Sequence, residues 1–166
     1  MLYPIRICLI LALTLFTVGC SQTSESQISS QSAIAMTQNN QIAEVQSVKA
    51  TGKSNSYTFA VTIKSPDIGC DRYADWWEVI TPEGELLYRR VLLHSHVDEQ
   101  PFTRTGGKVD IAPEQEVIVR MHMSDSGYSA IAQRGTAKAG FEMVTLTQDF
   151  AANLESSEPL PQGCAF

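Results

Sequence analysis

The sequence predicts an all-β domain over residues 42–166, a single antiparallel β-sandwich of immunoglobulin-like or fibronectin-like architecture. Three observations point there. Apolar residues alternate with polar ones at the period of two that a half-buried strand requires. Turn residues separate those runs at short intervals. No stretch shows the 3.6-residue apolar period of an amphipathic helix, apart from a short helical turn at 148–154.

The elements follow in order. Glu44 to Ala50 reads as a weak first strand. Tyr57, Phe59, Val61 and Ile63 alternate with Thr58, Ala60, Thr62 and Lys64, which gives a strand with one apolar face. Asp75 to Ile80 and Glu85 to Leu93 flank Thr81-Pro82-Glu83-Gly84, a hairpin signal. Trp76 and Trp77 then face opposite ways, as do Arg89 and Arg90. One arginine is expected to pair with Asp75 or Glu78 across the hairpin. Gln115 to Met123 is a further strand, with Val117, Val119, Met121 and Met123 on one side and Arg120 and His122 on the other. A Gly- and Ala-containing loop is expected from Gly127 to Gly140, and a last strand from Phe141 to Thr147. The order Cys70, Trp76, Trp77, Cys164 is that of an immunoglobulin domain. Cys164 lies past the last strand, so the likeness is architectural only.

The chain begins Met1-Leu-Tyr-Pro-Ile-Arg6, followed by an apolar run from Ile7 to Val18 and then Gly19-Cys20-Ser21. That run is too short to span a hydrocarbon layer of about 30 Å. It has the parts of a secretory signal over residues 1–19. Val18-Gly19-Cys20-Ser21 resembles a bacterial lipoprotein signal, the lipobox, although Thr17 stands where that motif favours leucine. The resemblance implies cleavage before Cys20, diacylation of its thiol and acylation of the new amine. It makes the membrane a partner through Cys20, with Ser21 favouring the outer membrane where the cell has one. Several acyl chains hold a protein where one binds only reversibly. Residues 20–41 are rich in Ser, Gln and Thr and poor in branched and aromatic residues, the composition of a tether. Its reach is roughly 25 Å.

The chain carries 12 Lys plus Arg against 18 Asp plus Glu, with no basic run, which excludes a nucleic-acid footprint. Of four cysteines, Cys8 leaves with the signal and Cys20 takes the lipid. Cys70 and Cys164 remain as an even pair in an oxidising compartment and are expected to form a disulfide.

Chemistry-bearing residues concentrate in CDRYADWWEVITPEGELLYRRVLLHSHVDEQPFTRTGG, residues 70–107. With the strands on either side, from Tyr57 to Tyr128, this stretch resembles a family of uncharacterised secreted bacterial proteins. The resemblance implies one envelope domain and brings no activity or cofactor. All three histidines fall in His94-Ser95-His96 and Met121-His122-Met123. Residues two apart on a strand share a face, so His94 and His96 form a candidate copper or zinc site, with His122 or a methionine assisting. The plainer reading is polar residues bonded to carboxylates such as Asp98 or Glu99, with Met121 and Met123 packed in the core. A second candidate is a binding surface of Trp76, Arg90, His94, His96 and Arg104 for an envelope protein or a cell-wall component. Trp76 would need to be exposed. No Gly-x-Ser-x-Gly elbow, His-Glu-x-x-His or phosphate loop occurs, and Ser95 would point away from both neighbouring histidines on a strand. A non-catalytic binding domain on a lipid anchor is therefore the expectation, with metal handling as the alternative.

Overall fold

The computed structural model describes residues 42–165; the signal segment, Cys20 and the tether read from the sequence lie outside the described residues. The strands are β1 (Glu44–Lys53), β2 (Ser56–Lys64), β3 (Ala74–Ile80), β4 (Leu86–Val91), β5 (Phe102–Val109), β6 (Val117–Met123), β7 (Gly127–Tyr128), β8 (Ile131–Thr136) and β9 (Gly140–Thr145). A 3-10 helix, Ala152–Ser156, is the sole helical element among the described residues. It overlaps the helical turn expected at 148–154 over its first three residues.

The strands form one sheet in the order β4-β3-β6-β8-β1-β2-β5, with β7 added to β6 and β9 to β8. Pairing is antiparallel except where β1 meets β8, at the single position Glu44 opposite Ile131. β8 bonds to β6 and touches β1, so it joins what would otherwise be two sheets. The sheet curls until its two end strands, β4 and β5, approach each other. The all-β expectation holds. The architecture is a nearly closed mixed barrel rather than specifically an immunoglobulin sandwich.

Alternation in β2 is realised as read: Tyr57, Phe59, Val61 and Ile63 are buried in the barrel. Trp77 and Val79 of β3 and Val117, Val119, Met121 and Met123 of β6 fill the same core. Both methionines are thus packing residues. β3 and β6 are buried on their other face too, which strand alternation alone does not foretell. The segment after β9 crosses that outer face, where Leu154 packs with Ile80, Ile118 and Ala132.

Three strands were hidden in the sequence, the shortest being β7, which lies inside the stretch read as a loop. β8 lies inside the stretch read as the loop Gly127–Gly140. Its Gly135 is needed because a Cβ there would stand 2.0 Å from the Gly140 carbonyl oxygen. β5 contains Gly106 and Gly107 and lies between the runs read as strands. At Gly106 a Cβ would meet the Tyr88 hydroxyl at 2.7 Å and the Trp77 ring at 2.9 Å. The rings of β3 and β4 therefore fill the place of a side chain on β5, and glycine lets the barrel close there.

The expected disulfide is present, joining Cys70 in the β2–β3 loop to Cys164 in the C-terminal tail. The tail is held a second time, where the Ala165 amide donates to the Leu93 carbonyl at 2.5 Å.

Candidate functional site

β4 and β5 are the free ends of the sheet, and a cleft of about 410 Å3 opens along the seam between them. Tyr88, Arg90, His94 and His96 line it from β4 and the loop that follows, and Arg104 from β5. Arg90 and Arg104 place two guanidiniums at its rim, beside the exposed His94 ring. Arg104 donates to Glu99 at 2.7 Å and lies over the Phe102 ring at 5.3 Å. That contact holds the exposed Glu99 carboxyl below its ordinary range. Arg90 is exposed, with no hydrogen bond or ion pair among the described residues. The volume suits a small ligand or a side chain of a partner.

His94 and His96 lie in the loop after β4, which ends at Val91, and not on a strand as expected. The loop still brings their rings to 4.6 Å. His94 is exposed; His96 is 2% exposed and stacks on Phe102 at 3.8 Å. Asp67 organises this loop. One carboxylate oxygen accepts the His96 amide at 2.8 Å and the other accepts the Ala74 amide at 3.1 Å. The His96 ring nitrogens have no hydrogen-bond partner among the described residues, the nearest carboxylate oxygen being that of Asp67 at 3.9 Å from Nδ1. Burial, then the neighbouring Arg104 and His94, pushes the His96 pKa down and keeps the ring neutral near pH 7. Ser95 donates to Asp67 at 3.5 Å and to neither histidine.

The described residues do not bring His94, His96 and His122 together as one group of three ligands. His122 projects from the outer face of β6, where it meets Asp75 at 2.7 Å and Glu155 at 3.3 Å. No group of three His, Cys, Asp or Glu placed to hold a metal occurs among the described residues. Trp76 also departs from its expected place on a binding surface. It is 3% exposed, stacked on His122 at 3.6 Å under the C-terminal segment. The seam keeps Arg90, His94, His96 and Arg104 together and leaves Trp76 out.

What covers Trp76 is a buried charged cluster that pattern reading only half anticipated. Arg89 does pair with Glu78 across the hairpin, through Nε at 2.8 Å and Nη2 at 2.6 Å. Arg120 of β6 donates to the other Glu78 oxygen at 2.8 Å. Both guanidiniums then reach the C-terminal segment. Arg89 donates to the carbonyls of Leu154, Ser157 and Pro159, and Arg120 to those of Phe150 and Ala151. Tyr128 caps the cluster, with Arg120 over its ring at 3.4 Å. Burial, then the Glu78 charge, pushes the Tyr128 pKa up to about 12. The cluster fastens a strap.

No family model matches the chain, and no solved structure matches it. Over 84 residues the chain is 42% identical to a protein of Halomicrobium mukohataei named "Putative lipoprotein". The match covers 49% of this chain and 40% of that relative, so the chain spans less than half the length of the curated protein it resembles.

Proposed function

We propose that the chain is a lipid-anchored protein of the cell envelope, whose barrel binds an acidic partner without catalysis. Three features support the anchor. Residues 1–19 have the form of a secretory signal ending in Val18-Gly19-Cys20-Ser21. The relative carries the name of a lipoprotein. The Cys70–Cys164 disulfide suits an exported protein.

The observation that carries the binding reading is the seam cleft. In a chain of net charge −6, it gathers Arg90, Arg104 and His94 around one opening. An arginine without an internal partner is poised to take a carboxylate in bidentate fashion. Acidic groups of an envelope protein or of a cell-wall component fit that chemistry.

Two experiments test the two halves. Mass spectrometry of the mature protein should find acyl chains on Cys20; a free, unmodified Cys20 would sink the anchor. For the cleft, a labelled hexaglutamate peptide is titrated against the chain from residue 21. The double variant Arg90→Gln, Arg104→Gln should weaken binding about tenfold or more, the scale of one lost charge-assisted contact. Equal affinity in both proteins would remove the cleft as the binding site.

A further inference from the structure

Large apolar side chains are distributed unevenly over the surface. Among the described residues five are exposed: Ile42, Ile68, Leu93, Val97 and Met143. The strand register places four of them at one end of the barrel. Glu44 opens β1 opposite Lys64, the last residue of β2; Ile63 faces Phe102, the first of β5; Trp76 faces Val91, the last of β4. The β2–β3 loop with Ile68 and the β4–β5 loop with Leu93 and Val97 therefore emerge beside Ile42. That is where the chain enters the barrel from residues 1–41. The opposite end exposes Lys53, Glu83, Glu85, Asp110, Glu114 and Lys138, and no large apolar residue.

The two apolar loops are tied together. Cys70, two residues beyond Ile68, is bonded to Cys164, and the next residue, Ala165, donates its amide to Leu93. Ile68 and Leu93 are thereby fixed relative to each other before any partner arrives, which lowers the ordering cost of docking. Between them lies a cleft of about 430 Å3 lined by Cys70, His94, Val97 and Ala165.

We propose that this end of the barrel docks on the membrane surface, with Ile68, Leu93 and Val97 entering the lipid interface. The proposal rests on the reading that Cys20 is lipidated. A tether of about 20 residues, with a reach of roughly 25 Å, holds the domain near the bilayer at millimolar effective concentration. At that concentration a patch of three side chains suffices, although it would not recruit a free protein. Asp71, Asp98 and Glu99 are exposed at the same end, so the matching surface is zwitterionic rather than anionic lipid.

The test uses the full acylated chain in zwitterionic vesicles that carry brominated acyl chains, which quench tryptophan on contact. Leu93→Trp and Val97→Trp are the reporters, Glu83→Trp is the far-end control, and the wild-type protein with its buried Trp76 and Trp77 sets the baseline. Added emission from the two tip reporters should fall by about twofold or more, and that of the far-end reporter should stay unchanged, as interfacial insertion of one end requires. Unquenched tips on an acylated protein overturn docking and leave the anchor standing. Absence of acyl chains in the mass spectrum removes the anchor itself, so the two failures are distinguishable. Tips already blue-shifted without vesicles also overturn the proposal. Dilution then tells a second copy, whose contact reverses, from the chain's own N-terminal segment, whose contact does not.

Discussion

Replacing Glu78 by Gln should destabilise the barrel more than any other single polar change, and the structure allows the size to be worked out. Glu78 is fully buried and its carboxylate accepts from Arg89 at 2.6 and 2.8 Å and from Arg120 at 2.8 Å. Glutamine keeps the shape but removes the charge and one acceptor oxygen. Two guanidiniums, 5% and 1% exposed by residue, would then face each other with no countercharge. Breaking one buried pair costs about 3–5 kcal/mol, because the remaining ion stays desolvated and unpaired. Two stranded cations put this variant at the upper end. For a domain of this size about 4 °C of midpoint accompanies each kcal/mol, so a fall of roughly 15–20 °C is expected. The assay is urea unfolding at pH 7 followed by tryptophan fluorescence, paired with a thermal scan. Trp76 lies under Arg89 at 4.5 Å, so its emission reports the strap directly. Arg120→Met in the Glu78→Gln background should then cost less than Arg120→Met alone, since the second change relieves one stranded charge. A Glu78→Gln loss below about 1 kcal/mol, or strict additivity of the two changes, would refute the claim that the carboxylate binds the cluster together.

Three further outcomes follow from other sites. Because the folded-state pKa of His96 is lowered, the unfolded chain binds a proton first as pH falls; stability is full above about 6.5 and declines below it toward the folded pKa. His96→Gln should flatten that acid slope in a pH series of urea midpoints, and an unchanged slope would assign the loss to other groups. Gly106→Ala should cost about 1–3 kcal/mol through the clash with Tyr88 and Trp77, with partial recovery in Gly106→Ala, Tyr88→Phe. Full stability of Gly106→Ala in the same melts would show that the seam relaxes freely. Cys70→Ser, Cys164→Ser opens a loop spanning 94 residues in separation, for which chain entropy predicts a loss of about 4.7 kcal/mol. A urea titration showing no loss would mean that the tail is held by Arg89 and Arg120 alone.

The limits of reading this chain from its sequence have a common physical origin. Strands with one apolar face, such as Tyr57–Ile63, were legible because alternation is a property of neighbours in sequence. So was an ion pair between one hairpin arginine and Asp75 or Glu78, realised as Arg89 with Glu78, since a hairpin fixes its own register. β5 and β8 were not, because their glycines are explained only by what distant rings and carbonyls occupy: Trp77 and Tyr88 at Gly106, Gly140 at Gly135. The misplacement of Trp76 and His122 has the same cause. Alternation correctly put both on the far face from the core, but only the tertiary path of residues 146–160 buries that face. Once the strap lies across β3 and β6, the aromatic and imidazole rings that looked like recognition residues become part of its seating. What the strap leaves exposed is then informative. It covers the sheet beside the seam and stops at the disulfide, so Arg90, His94 and Arg104 stay open on one side and Ile68, Leu93 and Val97 on the other. A tail used only for stability could have closed over both. This one ends by pinning the two apolar loops together, at the end of the barrel where the chain enters at Ile42.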